Sequence, residues 1–140
     1  MLNSLDSKEW LDIVNAGLVV LIWLVQLIIY PSFAHINETA FVDWHKKYVA
    51  RITSCVAPLM IAQVLLVLRL LATTPIFKYY LMLSCILIIW YASFSLSVPC
   101  HRKLQKSGKN VAVINRLILT NWVRTILWTV VFLTGILVSY

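Results

Sequence analysis

Candidate binding side chains recur in an otherwise apolar sequence. Asn121, Arg124 and Trp128 share one helix face because they are three and seven residues apart. Tyr48 and Arg51 have the same three-residue spacing nearer the N-terminus. Arginine, tyrosine and asparagine without matching carboxylates favour an anionic or quinone-like ligand, or a phospholipid headgroup. The predicted ligand-binding residues are Tyr48, Arg51, Tyr91, Asn121, Arg124 and Trp128.

Histidines could supply acid–base chemistry beside these residues. We predict His45 and His101 as catalytic proton acceptors, because imidazole exchanges a proton near neutral pH, while Arg51 and Arg124 would stabilise an anionic oxygen of the ligand. Together with His35, the two histidines leave a haem or metal site open as an alternative. They form no close motif such as HxxxH, so no metal ligand is assigned and the cofactor stays unknown.

The composition indicates which elements must position these residues. Of 140 residues, 61% are hydrophobic and 12% are charged, whereas an ordinary soluble domain has about 25% charged residues. The mean hydropathy is +0.88. The surface is therefore predicted to face lipid, with residues 1–140 forming one transmembrane domain. Three cysteines without CxxC spacing support neither a disulfide framework nor a zinc site.

Four apolar segments are each long enough to span a bilayer. We predict spans at residues 13–30, 51–71, 76–98 and 118–139, with Pro31 and Pro99 ending the first and third. Asn37 or Thr39 could cap a helical turn that leads into the second span, and the 99–112 connection is predicted to turn at Ser107 and Gly108. The predicted fold is an all-α integral membrane protein, an antiparallel bundle of four transmembrane helices.

The net charge of +7 is better explained by orientation of the protein in a membrane than by binding of nucleic acid. The 31–50 and 99–112 connections and the residues flanking them hold eight Lys and Arg, against three at the other side of the bundle. Positive residues in short loops favour the cytoplasm. We therefore predict both termini on the non-cytoplasmic side of a cell inner membrane, and anionic lipid as the partner of the basic loops.

Each predicted helix carries one polar stripe. Polar atoms are costly in lipid, so each stripe is expected to face the bundle interior. The alternative is that these groups only join helices to one another. The stripes are Asn15, Gln26 and Tyr30; His45 with Gln63, beside Tyr48, Arg51, Cys55 and Pro58; Ser84, Tyr91, Ser95 and Arg102; and Asn121, Arg124, Thr125 and Trp128.

The depth of Arg124 leaves two interpretations open. A hydrocarbon core of about 20 residues that ends at Tyr140 would begin near Asn121. Arg124 would then lie about 5 Å inside the boundary, within snorkelling reach of the headgroups. It could be a functional arginine or one that only reaches the interface. The neighbouring His, Tyr and Asn residues favour the functional interpretation.

Three stretches in the C-terminal 45 residues carry a family resemblance: Val98-Pro-Cys-His-Arg-Lys-Leu, Asn115-Arg-Leu and Asn121-Trp-Val-Arg124-Thr. This region resembles small four-helix membrane proteins of the anthrone-oxygenase-like group. The resemblance implies an oxidoreductase acting on a membrane-soluble aromatic substrate, without a required cofactor, and it singles out Asn121, Trp122 and Arg124.

Three further stretches carry a second similarity: Tyr30-Pro-Ser-Phe-Ala-His35, Lys47-Tyr-Val-Ala-Arg51 and Arg102-Lys-Leu. Their places along the chain are similar to those in compact bacterial protoporphyrinogen oxidases. The first span lacks a histidine and the third lacks an interior lysine, so haem and porphyrin chemistry are not carried over.

The sequence thus predicts a multi-pass membrane protein that binds a small hydrophobic aromatic or quinone-like ligand near the cytoplasmic leaflet. Oxidation of that ligand is left open, which would make the protein a membrane oxidoreductase. The alternative is a non-catalytic helical subunit or assembly module of a membrane complex. A homo-oligomer is also left open, and nucleic acid is not an expected partner.

Overall fold

Four long helices make up the part of the chain that the structure describes. The computed structural model describes residues 4–137, with side chains from Ser7 onwards. The helices are α1, which comprises Ser4–Leu24, a π-helical segment Val25–Ile29, a turn Tyr30–Ser32 and a 3₁₀ turn Phe33–His35; α2, Glu38–Thr73; α3, which comprises Phe77–Ala92, a π-helical segment Ser93–Ser97 and Val98–Ser107; and α4, Val111–Leu137.

All four helices are long and apolar enough to cross a membrane. Their outward faces carry large apolar side chains, among them Leu27, Leu65 and Leu119, which are 60%, 62% and 72% exposed. Such a surface would be costly in water and is well solvated by lipid tails. The prediction of an all-helical membrane bundle is confirmed at this level.

The two prolines do not end their helices, so this part of the prediction is wrong. α1 continues through Pro31, and α3 continues for eight residues beyond Pro99, to Ser107. A proline ring crowds the carbonyl four residues earlier. Those carbonyls belong to Leu27 and Ser95, and both lie within the wider π-helical segments. The widening removes the clash and lets the helix continue.

The helix ends follow local capping chemistry. The Asn37 side chain accepts a hydrogen bond from the Thr39 amide (3.1 Å), so Asn37 is the cap and α2 begins well before residue 51. Gly108 ends α3 with φ +80°, a conformation that favours glycine. α4 begins at Val111, ahead of the predicted membrane span at residues 118–139. Residues 138 and 139 of the predicted fourth span lie outside the described residues.

The helices pack around two apolar clusters. α1 packs against α2 and α4, and α3 packs against α2 and α4. One cluster includes Phe33 and Leu117, and the other includes Leu11 and Ile86. Beside the second cluster, Lys78 Nζ donates to the carbonyl of Gly135 (3.0 Å).

Candidate functional site

Arg124 is the centre of a hydrogen-bonded polar group in the bundle interior. Its Nε donates to Asn121 Oδ1 (2.9 Å) and one terminal nitrogen donates to Ser93 Oγ (3.3 Å). The other terminal nitrogen donates to Tyr30 Oη (3.0 Å) and to Asn121 Oδ1. All three partners are neutral, and no ion pair involves Arg124 within residues 7–137. The guanidinium charge therefore has no counter-ion from the protein in this region.

Amide groups hold Asn121 in the orientation that Arg124 requires. Asn121 is fully buried, and its Nδ2 donates to Gln26 Oε1 (2.8 Å), which also accepts a bond from Thr125 Oγ1 (3.3 Å). Gln26 Nε2 in turn donates to the carbonyl of Ile118 (3.1 Å). The nitrogen side of Asn121 is thus occupied by α1, and its oxygen faces Arg124.

A second chain of hydrogen bonds leads from Arg124 to both predicted histidines. Tyr30 Oη lies 3.2 Å from His101 Nε2. His101 Nδ1 lies 3.0 Å from His45 Nε2. His45 is fully buried, and its Nδ1 has no hydrogen-bond partner. Three helices, α1, α3 and α2, therefore contribute successive members of one chain.

Aromatic rings enclose the two imidazoles. Phe41 stacks on His45 with ring centroids 5.5 Å apart and planes inclined by 16°. Phe33 meets His45 edge-on (5.4 Å), and Tyr48 lies 6.1 Å from His45 and 6.3 Å from His101. Tightly packed rings leave the imidazoles little rotational freedom.

A cavity of about 430 Å³ opens beside Arg124. Polar groups from Tyr30, Ser93, His101 and Arg124 line it. Trp90 also lines it, and its indole Nε1 is buried without a partner. The remaining walls are mainly apolar, from Leu21, Ile22, Val25, Tyr48, Val49, Ile52, Thr53, Val56, Ala57, Met60, Ile61, Phe94, Ser97, Val98, Arg102, Gln105 and Trp128.

Trp128 connects the cavity to another polar group, which consists of Gln63 and Asn15. Its ring lines the cavity, while its Nε1 donates to Gln63 Oε1 (3.2 Å). Gln63 Nε2 donates to Asn15 Oδ1 (2.7 Å), and Asn15 Nδ2 is buried without a partner. Trp128 therefore presents only its apolar ring to the cavity.

The structure brings six of the eight predicted site residues together and leaves two outside. Arg51 is exposed, and Tyr91 is 72% exposed. Neither forms a hydrogen bond with another described side chain. The six that meet at the cavity or directly behind it are His45, Tyr48, His101, Asn121, Arg124 and Trp128.

Tyr91 was assigned to the interior because of the α3 stripe, and that stripe prediction is wrong. All four of its residues, Ser84, Tyr91, Ser95 and Arg102, are exposed. Ser84 Oγ donates to the carbonyl of Tyr80 on its own helix (2.9 Å), so its hydroxyl needs no partner in the bundle. The buried face of α3 instead carries Ile86, Ile89 and Ser93.

The other stripes are confirmed in their inward members. Asn15, Gln26 and Tyr30 are buried, as are His45 and Gln63, and Asn121, Thr125 and Trp128. On α2, the prediction that the group beside them also faces the interior is wrong for Arg51, Cys55 and Pro58, which are exposed.

Sequence reasoning omitted four residues of the site. Tyr30 and Gln26 were on the predicted α1 stripe, and their phenol and amide groups were a usable signal. Trp90 gave no signal, because it lies outside the predicted polar stripe of α3 in a regular helix. Ser93 lies half a turn away from Ser84 in a regular helix, so its position could not be derived from the polar pattern.

The structure also bears on the metal-site alternative and on the position of Trp122. Residues 7–137 contain no group of three His, Cys, Asp or Glu side chains that could hold a metal ion. His35 is exposed, away from the contact between His45 and His101. Trp122 lies on the outer surface, where it meets Trp23 edge-on (5.7 Å).

Comparison with protein-family models, curated proteins and solved structures finds no match to this chain. The anthrone-oxygenase-like resemblance therefore stays a prediction. The class that the fold defines is a helical membrane protein with four candidate spans.

Proposed function

We propose that this membrane protein binds a small aromatic molecule with one acidic or strongly polarised oxygen, a phenol or quinone, in the cavity beside Arg124. The observation that carries the proposal is a guanidinium with only neutral partners at the polar end of an apolar cavity. A partly buried charge without a counter-ion is costly, and an anionic oxygen would relieve that cost.

Donor geometry supports this ligand class. A guanidinium group carries five N–H bonds, and Arg124 uses four for Asn121, Ser93 and Tyr30. One N–H on the Ser93 side is left for a ligand. This N–H and the guanidinium charge together suit an oxygen acceptor.

Size and wall chemistry support an aromatic body. The volume of about 430 Å³ lies in the range of small-molecule pockets, which are mostly apolar with a few polar groups that fix orientation. Trp90, Trp128 and Tyr48 offer ring surfaces for stacking. Arg51 does not belong to this proposal because it is exposed.

His101 is the proposed proton acceptor. It lines the cavity and contacts Tyr30, which contacts Arg124. A phenol that gives up its proton beside Arg124 would be held as a phenolate by the guanidinium charge. The proposed chemistry consists of binding and deprotonation of the ligand.

We further propose an antiparallel bundle in a cell inner membrane, with both termini on the non-cytoplasmic side. The excess of Lys and Arg in the 31–50 and 99–112 connections supports this orientation. The site would then lie near the cytoplasmic leaflet, since His101 belongs to the second of these connections.

Calorimetric titration of the protein in lipid nanodiscs with 2-naphthol tests the proposal, with empty nanodiscs as the blank. We expect saturable binding that falls about tenfold to a hundredfold in Arg124→Gln, because a hydrogen bond to a charged group contributes about 1.5–3 kcal/mol. Arg116→Gln, on the exposed face of the same helix, should bind as the parent does. 2-Methoxynaphthalene, which has no acidic proton, should bind more weakly than 2-naphthol.

A second variant guards against misfolding of Arg124→Gln. Ala57→Phe fills the cavity from α2 and leaves the hydrogen-bonded groups unchanged, so it should remain folded and lose binding. If folded wild-type protein binds neither 2-naphthol nor 1,4-naphthoquinone, the proposal is wrong. The alternative of a non-catalytic assembly module, in which the polar groups only fix helix packing, would then be favoured.

A further inference from the structure

We propose that the aromatic ligand carries an alkyl or prenyl chain, which passes from the cavity into the bilayer through a lateral slot between α2 and α3. The inference rests on the proposed function for the aromatic head of the ligand. It adds a hydrocarbon chain to the ligand class, and it assigns a route of entry from the lipid in place of a route from water.

The slot lies between two regions in which α2 and α3 pack together. α2 packs against the Phe77–Ala92 part of α3 and against its Val98–Ser107 part. The π-helical segment between these parts, Ser93–Ser97, packs on α4. Phe94 and Ser97 of this segment line the cavity, as do residues of α2. The cavity therefore occupies the space between α2 and the π-helical segment.

Side chains on both sides of the slot reach the outer surface of the bundle. Phe94 of α3 lines the cavity and is 62% exposed, and Ile61 of α2 lines it and is 51% exposed. Thr53 of α2 also lines the cavity and is exposed. A side chain that lined only a closed cavity would be largely buried, so the slot opens on the outer surface.

The slot lies at the depth of the lipid tails and is bordered by small side chains. At 1.5 Å per residue, Thr53 to Ile61 extends over about 12 Å. This length lies inside the predicted span at residues 51–71 and is well below the hydrocarbon thickness of about 30 Å. Thr53 and Ala57 are one turn apart on the same face of α2, and Ser97 lines the α3 side. Because these three side chains are small, they leave room between the helices for a hydrocarbon chain.

The polarity of the cavity directs the chain to the slot and away from Arg102. Arg102 and Gln105 line the end of the cavity that belongs to the 99–112 connection, and Arg102 is exposed. A hydrocarbon chain at that end would displace water from a charged group, which is costly. Outside the slot, lipid tails surround the chain with groups as apolar as itself. The oxygen of the ligand stays at Arg124 while its chain lies in the bilayer.

Displacement calorimetry tests the slot, with 2-naphthol titrated into nanodiscs whose lipid already contains 6-decyl-2-naphthol. We expect the long-chain compound to compete with 2-naphthol in wild type. A load that weakens the apparent affinity of wild type for 2-naphthol about tenfold should weaken that of Thr53→Trp less than about twofold, because the added ring crowds the chain out of the slot. Without the load, Thr53→Trp should bind 2-naphthol as wild type does.

Ser54→Trp is the matched control, since Ser54 is exposed beside Thr53 and does not line the cavity. It should respond to the load as wild type does. If 2-naphthol binds and the load has no effect in wild type, the slot is wrong and the proposed function stands.

Photo-cross-linking locates the chain directly. A 6-alkyl-2-naphthol with a diazirine in its chain near the ring should form cross-links to residues 52–61 and 94–98, mapped by mass spectrometry, and excess 2-naphthol should suppress them. Cross-links at Arg102 and Gln105 in place of the slot would overturn the inference. Cross-links at the slot that 2-naphthol does not suppress would contradict the proposed function and leave the slot as a site for hydrocarbon chains.

Discussion

Arg124 and Gln63 show how single polar residues are accommodated in this bundle. Arg124 reaches Tyr30 and Ser93 on two other helices, so it is held by the bundle interior as well as by Asn121 on its own helix. These contacts direct the Arg124 side chain to groups inside the bundle, whereas simple snorkelling would direct it to the lipid headgroups. Gln63 uses its amide oxygen and its amide nitrogen to join Trp128 and Asn15. Since lipid supplies no hydrogen-bond partners, each such residue must find its partners within the protein.

Gln63→Leu should destabilise the bundle by about 1–2 kcal/mol, because it leaves buried polar atoms of Trp128 and Asn15 unpaired. The free energy of unfolding in mixed micelles, measured as the SDS fraction rises, checks this value. Gln105→Leu makes the same chemical change at a partly exposed position with no hydrogen bond among the described residues, and it should alter stability by less than about 0.5 kcal/mol. Equal effects of the two substitutions would contradict the structural role of Gln63.

The π-helical segments of α1 and α3 determine which side chains of these two helices face the site. Each bond within them spans five residues, as from the Tyr30 amide to the Val25 carbonyl and from the Val98 amide to the Ser93 carbonyl. The extra residue changes which side chains face inward on either side of the segment. Gln26 and Ser93 lie within the two segments, and His101 follows one turn after the second. π-helical segments are frequent at functional sites.

Deletion of Ser95 in a Pro99→Ala background should leave the protein folded. The alanine removes the ring that crowds the preceding turn, and removing one residue converts the π-helical turn to a regular turn while both flanks keep their faces. Deletion of Ser84 in the same background is the control. It should prevent folding, because it rotates one flank of a regular helix by about 100°. Helical circular dichroism and the melting temperature in detergent measure both outcomes, and similar behaviour of the two deletions would contradict this role for the segment.

The distribution of basic residues between the two ends of the bundle is a property of the whole molecule. Basic residues concentrate at one side of the predicted bundle, whereas Lys8, Arg69 and Lys78 are assigned to the other side. Anionic lipid and the membrane potential act on that asymmetry. The orientation also determines which leaflet of the membrane the proposed site lies near.

Labelling of single cysteines should establish the orientation. In a chain without Cys55, Cys85 and Cys100, we expect a membrane-impermeant maleimide to label Phe77→Cys in intact spheroplasts and Ser107→Cys only after lysis. Both positions are exposed, so accessibility to the reagent depends on the side of the membrane. The reverse pattern would invert the proposed topology.

The sequence by itself determined that four apolar helices form, and it identified much of their inward-facing polarity. Hydropathy is a local property that sums along a segment, so membrane-spanning length can be derived without tertiary structure. The same holds for His45 with Gln63 and for Asn121 with Thr125, since their spacing places them on one face of an uninterrupted helix.

Only the tertiary structure decided which polar groups meet. Tyr30 is 71 residues from His101 and 94 from Arg124, and no local pattern encodes such partners. Polarity alone also misplaced Tyr91 and Ser84, because a serine can bond to its own helix while facing outward. The π-helical segments then altered the register that the spacing assumed. The hydrogen-bonded chain from Arg124 to His45 exists because packing of four helices brings these groups within bonding distance.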